Sequence, residues 1–220
     1  MKHNLSPRLL RCAELVHPGD RVADVGCDHG YLGIYLLQSG KASFVYAGDV
    51  NEGPLQSAVA NSEKYGVKDQ ISFYHSDGVR NFPRDFNTMV CAGMGADTMV
   101  SILEAAPWLK STAYRLILQC QSKTPYLRKY LSQNGWVIPQ EIVVRDGRFL
   151  YTVMEVCYEP GTVLTPGECY FSPALQKNNA PETQEYYQQV IFRLQRAVNG
   201  QGDHADIEMV QALQELRKEL

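Results

Sequence analysis

Between residues 22 and 37 the chain places several reactive side chains in a short, patterned stretch. An apolar run from Val22 to Val25 carries Asp24 within it. It gives way to Gly26-Cys27-Asp28-His29-Gly30 and then to a periodic apolar segment that runs from Tyr31 through Leu37. Such a pattern predicts a strand, a tight loop and a helix start, the place where open α/β sheets bind nucleotide-like ligands. A dinucleotide fingerprint has the form Gly-x-Gly-x-x-Gly, but here its second glycine position holds Asp28. A carboxylate at that point repels a pyrophosphate and suits a ligand that carries positive charge. The sulfonium of S-adenosylmethionine is a ligand of that kind.

The other predicted strands end in equally distinctive groups: Gly48-Asp49, Asp77-Gly78 and Gly93-Met94-Gly95. Asp49 stands 23 residues past Gly26, the placement of an acid that grips ribose hydroxyls. Asp77 is suited to accept from an adenine amino group while Gly78 leaves room for the ring. Gly26 and Gly30 allow the backbone to approach a ligand closely. Blander readings compete at each position. An Asp after a strand often serves a turn or a cap, and Asp77-Gly78 fits a simple turn equally well. Asp28 also reads as a cap for a helix that begins near His29. His29 and Tyr31 read either as loop packing or as ligand contacts, and Asp97 reads as the N-cap of a later helix.

These groups require a scaffold that brings strand ends together. Ser6-Pro7 predicts a helix start, with Leu9, Leu10, Ala13 and Val16 as its buried face. Strands are predicted at about 21–25, 43–47, 71–74, 88–92 and 114–118, with helices between them. Two further β-rich runs, 136–144 and 149–157, are joined by Arg145-Asp146-Gly147-Arg148, a hairpin signal. The expected fold is α/β: a Rossmann-like, mainly parallel sheet closed by an antiparallel hairpin, over residues 1–158. Residues 159–180 are rich in Pro, Gly and polar groups and read as a linker. Residues 181–220 predict a coiled-coil-like helical hairpin, with Tyr187, Val190, Ile191, Leu194 and Val198 on one helix and Met209, Leu213, Leu216 and Leu220 on the other. Asn199-Gly200-Gln201-Gly202-Asp203 is the expected break between them.

Composition narrows the function classes. The chain has 220 residues, 45% apolar and 20% charged, with a formal net charge of −3. No apolar run reaches the roughly 20 residues that span a bilayer, and the start lacks the apolar centre of a signal peptide. The six cysteines are scattered, without a metal-ligand spacing. The expectation is a cytoplasmic protein with reduced thiols and no metal site. Charge is uneven: residues 1–158 carry 16 Lys and Arg against 15 Asp and Glu, and residues 159–220 carry 5 against 9. A nucleic acid would have to meet a local basic face. Lys2, Arg8, Arg11, Lys123, Arg128, Lys129, Arg145 and Arg148 are the candidates for such a face, with scattered solvated charge as the competing reading.

Taken together, these segments resemble the TrmK-type bacterial tRNA (adenine22-N1)-methyltransferases. The similarity rests on Leu5-Ser6-Pro7-Arg8-Leu9, on Ala23 through Leu32, and on Ala47-Gly48-Asp49-Val50 with Gly53-Pro54. Ala92-Gly93-Met94-Gly95 and Leu116-Ile117-Leu118-Gln119 extend it, so that it covers about residues 4–157. The chain departs from the family pattern at Cys27, Gly30 and Ala96, where Ser, Ala and Gly are expected, and at Cys120-Gln121, where Pro-Asn is expected. The resemblance implies a class I fold and methyl transfer from S-adenosylmethionine to N1 of an adenine in the D-arm region of tRNA. The expected donor site comprises Asp24, Gly26, Cys27, His29, Gly30, Asp49, Val50, Asp77, Gly78, Gly93, Met94 and Gly95. Asp28 is expected to hold the adenine 6-amino group and take its proton, and Tyr31 to stack on the base. A small-molecule methyltransferase and a non-catalytic, cofactor-binding interaction protein remain the alternatives. The sequence leaves a monomer or a weak dimer open.

Overall fold

The computed structural model describes residues 5–161, 163–201 and 206–218. Lys2, Gly202-Asp203 and Leu220 therefore lie outside the described residues. Seven strands form one sheet in the order β3-β2-β1-β4-β5-β7-β6. The strands are β1 (Asp20–Val25), β2 (Ala42–Asp49), β3 (Ile71–His75), β4 (Thr88–Met94), β5 (Arg115–Cys120), β6 (Trp136–Asp146) and β7 (Phe149–Tyr158). The pairs among β1 to β5 are parallel, and β7 enters antiparallel between β5 and β6. This is the Rossmann-like arrangement expected from the alternating pattern.

Parallel strands covered on both faces read as nearly continuous apolar runs, and β5 buries Leu116, Ile117 and Leu118 completely or almost so. On one face α1 (Pro7–Leu15), α2 (Tyr31–Gln38) and α3 (Glu52–Lys64) pack through Cys12, Ile34, Leu36 and Ala58 onto Val22, Val45 and Val90. On the other, α4 (Ala96–Ala105) and α5 (Thr124–Gln133) pack Met99, Leu103, Leu127 and Leu131 against Met89, Cys91 and Met154. Pro7 occupies the first turn of α1, where its missing N–H removes no helical bond. Ser6 precedes it, but its hydroxyl caps no amide. Ser6 still holds the N-cap position, whereas Asp97 does not: Gly95 is the N-cap of α4, and Asp97 pairs with Lys123 at 2.8 Å across to the start of α5.

The β6–β7 hairpin closes over a two-residue turn, with Asp146 paired to Phe149. Gly147 takes φ +59° at the first central position, as a type II′ turn requires. Residues 159–180 are more ordered than a bare tether. They form α6 (Pro166–Tyr170) and α7 (Pro173–Gln176), and Cys169, Phe171 and Leu175 are buried. The prolines and hydroxyls that suggested a linker are helix starts and caps: Thr165 and Glu168 form a capping box, and Ser172 caps α7. These segments join α8 (Pro181–Gln201) and α9 (Ile207–Lys218) in a third core. Tyr186, Val190, Leu194, Leu213 and Leu216 meet Val143 and Leu150 of the hairpin there. The C-terminal helices thus pack on the β6–β7 hairpin as well as on each other.

Candidate active site

The carboxyl ends of β1, β2, β3 and β4 open into a cavity of about 460 Å³, a size typical of small-molecule sites. The loop after β1 forms its floor. Gly26 and Cys27 each donate a backbone N–H to the carbonyl of Gly48, at 2.8 and 2.9 Å, which ties this loop to β2. Gly26 has φ +73°, and a Cβ there would lie 2.3 Å from the Met94 methyl group. Gly30 starts α2 in the left-handed region. Between them Asp28, a non-glycine residue, also takes a positive φ of 51°. Asp tolerates that region better than most residues because its short polar chain bonds locally. Asp28 therefore keeps the backbone shape of the missing glycine while adding a carboxylate.

Four carboxylates line the cavity in two different states: Asp24, Asp28, Asp49 and Asp77. Asp24 is buried, and its Oδ2 has no hydrogen-bond partner among the described residues. Burial raises its pKa from 3.8 to about 7, with a further push from Asp49, against a backbone hydrogen bond from Gly33. Asp49 is buried too but well satisfied, accepting from the Asp28 and Asn51 amides at 3.1 and 2.9 Å. Asp28 and Asp77 remain exposed. His29 Nε2 lies 3.6 Å from Asp28 Oδ1, and Arg80 lies 3.3 Å from Asp77. Tyr31 stands beside His29, with ring centroids 5.9 Å apart. Val50 projects into solvent at the end of β2, 55% exposed. Ile102 lies 3.1 Å from where a Gly78 Cβ would stand, and Val50 and Ile102 both line the cavity, offering apolar surfaces to a flat ring.

Gly93 is the bulged residue of β4, with φ +80° and a register shift against β5. Its amide donates to Gln119 Oε1 at 3.1 Å, and Gln119 is fully buried. Gly95 does not line the cavity. It begins α4 behind the wall, close to Ser122. The remaining predicted donor residues, including Cys27 and Met94, do line it, except Gly30, which sets the start of α2 beside it. The Cys27 thiol is driven upward in pKa by burial and by three neighbouring carboxylates, so it serves as packing. Sequence reasoning missed Asn51, Ser76 and Thr98 on the wall. Isolated polar residues after strands carry no signal of their own.

Most of the basic candidates are engaged by neighbouring groups, and Lys123 pairs with Asp97. Arg128 is fully buried against Glu141, so it presents no charge to solvent; its place in a basic-looking helix hid that role. Lys129 pairs with Glu208 at 2.6 Å and Arg11 with Glu14 at 2.6 Å. Arg145 pairs with Glu185. Arg148 stacks on the exposed ring of Phe149, 4.9 Å from its centroid. Arg8 points into the cavity. Among the described residues no group of side chains is arranged to hold a metal ion, and no helix is long and apolar enough to cross a membrane.

Three comparisons bear on this geometry. A family model described as a methyltransferase domain matches residues 5–154. The tRNA (adenine(22)-N(1))-methyltransferase of Bacillus subtilis (strain 168) is 32% identical over 151 residues, 68% of this chain and 63% of that protein. The chain thus spans under two thirds of the length of the curated relatives it matches. Solved structures align over nearly full length. A Streptococcus pneumoniae candidate tRNA (m1A22) methyltransferase in complex with S-adenosyl-L-methionine superposes with a TM-score of 0.85 at 29% identity, covering 98% of this chain and 99% of that one. M. capricolum TrmK in complex with S-adenosyl-homocysteine gives 0.82 at 26% identity, covering 99% and 98%.

Proposed function

Because this chain belongs to the methyltransferase-domain family, we propose that it transfers a methyl group from S-adenosylmethionine to N1 of an adenine in the D-arm region of tRNA. The observation that carries this reading is the first loop, glycine-like in shape at Asp28 yet carboxylate-bearing. It accommodates a nucleoside while disfavouring a pyrophosphate.

The residues present fit such a donor. The orphaned Oδ2 of Asp24 offers a buried acceptor to a cationic group. Asp49 keeps lone pairs for ribose hydroxyls beyond those used by Asp28 and Asn51. Val50, Ile102 and Gly78 enclose space for an adenine, with Asp77 at its edge. When bound, S-adenosylmethionine supplies an electrophilic methyl group on a sulfonium centre.

Adenine N1 is already a lone-pair nucleophile, so the chain needs no strong base to create one. Its work is to align the acceptor and to exclude water. N1 lies on the Watson–Crick edge, so the base must be unpaired or flipped to reach the cleft. Asp28, exposed at the mouth, accepts from the 6-amino group and favours the positive charge that N1 substitution places on the ring. It then takes the proton that leaves. Tyr31 stacks on the base. Similarity to the Bacillus subtilis enzyme supports tRNA as the partner.

Incubation with radiolabelled donor and unmodified bacterial tRNA, followed by nucleoside mapping, tests the reading. Label recovered as 1-methyladenosine at position 22 is the expected result. Label in a metabolite fraction but not in RNA would overturn it in favour of a small-molecule enzyme. Donor binding without transfer to any RNA would indicate an interaction protein.

A further inference from the structure

We propose that a second cavity, between the β5–α5 loop, the start of β7 and α8, receives the unstacked base of the nucleotide next to the one that is methylated. The proposal rests on the tRNA reading above and adds a second contact on that RNA. The cavity measures about 530 Å³, within the range of small-molecule sites. Its charge is the reverse of the donor cleft. Four carboxylates line that cleft, whereas the described lining of this cavity has no Asp or Glu and includes Lys123 and Arg193. A cationic donor finds no counter-charge here. A flat ring that carries a phosphate does.

The lining supplies a surface for the ring and a partner for its edge. Phe149 is 50% exposed at the mouth, and a half-exposed aromatic beside cations is a platform for unstacked RNA bases. Leu150 and Thr152 alternate with Phe149 and Tyr151 along β7, so they share a face. Leu150 packs there with Tyr186 and Val190 of α8. Thr152 is buried on that same face, and its Oγ1 has no hydrogen-bond partner among the described residues. A polar base edge provides one. Arg193 donates to the neutral Gln189 at 3.0 Å, which leaves its charge for a phosphate.

The two cavities share a wall, which is why a neighbouring nucleotide is the occupant. Tyr151 lines the second cavity, and Arg8, which lines the first, lies 6.0 Å from its ring centroid. The Gln121 amide donates to the Met94 carbonyl at 2.8 Å. Its side chain donates to Gln119 Oε1 at 3.3 Å, the oxygen that also accepts from Gly93. A base turned into the donor cleft therefore brings the adjoining nucleotide to the second opening.

Filter binding with unmodified tRNA, and with tRNA made abasic on either side of the target adenine, tests this. Phe149→Ala is expected to weaken binding of the intact tRNA by about tenfold. It should cause no further loss on one of the two abasic RNAs, because the stacking partner is already gone. S-adenosylhomocysteine affinity should stay within about twofold. Unchanged tRNA binding, additive losses on both abasic RNAs, or a matching loss of S-adenosylhomocysteine affinity would each overturn the assignment. Should Phe149→Ala fail to fold by circular dichroism, Arg193→Gln on the exposed side of α8 decides. It is expected to lower the slope of log K against log salt by about 0.7, and an unchanged slope would overturn the assignment. Wild-type protein that binds S-adenosylhomocysteine but no tRNA would overturn the tRNA reading itself, a separate result.

Discussion

Arg128 Nη2 and Glu141 Oε1 lie 2.6 Å apart with both side chains wholly removed from solvent. Nη1 of Arg128 also donates to the carbonyls of Cys169 and Tyr170, and the Ser172 hydroxyl donates to Glu141. One ion pair thus joins α5, β6 and the segment that leads to the C-terminal helices. Removing one partner leaves the other charge buried alone.

Arg128→Met is therefore expected to destabilise the protein by about 3–5 kcal/mol, measured by denaturant unfolding. The double variant Arg128→Met with Glu141→Leu should lose much less than the two single losses combined. An Arg128 variant of wild-type stability that bound tRNA more weakly would contradict this structural role.

Asp24 sets a pH dependence. Its pKa, raised from 3.8 to about 7 by burial, keeps it partly protonated in the free protein at neutral pH. Affinity for a cationic donor should rise from pH 6 to pH 8 as the carboxylate ionises. Asp24→Asn should bind more weakly and lose that rise. The linkage to stability has the opposite sign. A raised folded-state pKa adds stability that is complete below about 4 and lost as pH climbs through about 7. At pH 8 the ligand-free Asn variant should accordingly be more stable, by about 1–3 kcal/mol, because no buried charge remains. Calorimetry and thermal melts across pH check both halves.

Asp28 separates catalysis from donor binding. Asp28→Asn keeps a residue tolerant of φ +51°. It is expected to cut methyl transfer by about 100-fold with donor affinity within about threefold. Asp28→Ala should add a backbone cost of about 1–2 kcal/mol. A fall in donor affinity with unchanged turnover would contradict the acceptor role.

On the RNA side, Arg148 has no carboxylate partner among the described residues and stacks on an exposed ring. Arg148→Glu should weaken tRNA binding and reduce the slope of log K against log salt by about 0.7–0.9 for each RNA phosphate that the arginine neutralises. Lys129 and Arg145, already paired with Glu208 and Glu185, should have smaller effects. Salt titrations of filter binding distinguish the two groups.

The sheet and the glycine loop after β1 were legible in the residues because both are local codes. Apolar runs of strand length, and glycines and acids at their ends, specify β1 to β5 and the cleft they share. Even the anomaly at Asp28 was visible as a type. Its left-handed backbone was shown only by the fold. Roles that depend on partners distant in sequence were not legible. Arg8 and Arg128 are the same residue type and differ in fate because Gly93 and Gln119 draw one into the cleft, whereas Glu141 and two carbonyls bury the other. In the same way the prolines of 159–180 looked like a tether until the third core showed what their helices cover. The sequence by itself determined which elements form and where the strand ends carry acid. Only the tertiary structure decided which charges meet water, which meet each other and which await a ligand, because burial and pairing are set by neighbours far along the chain.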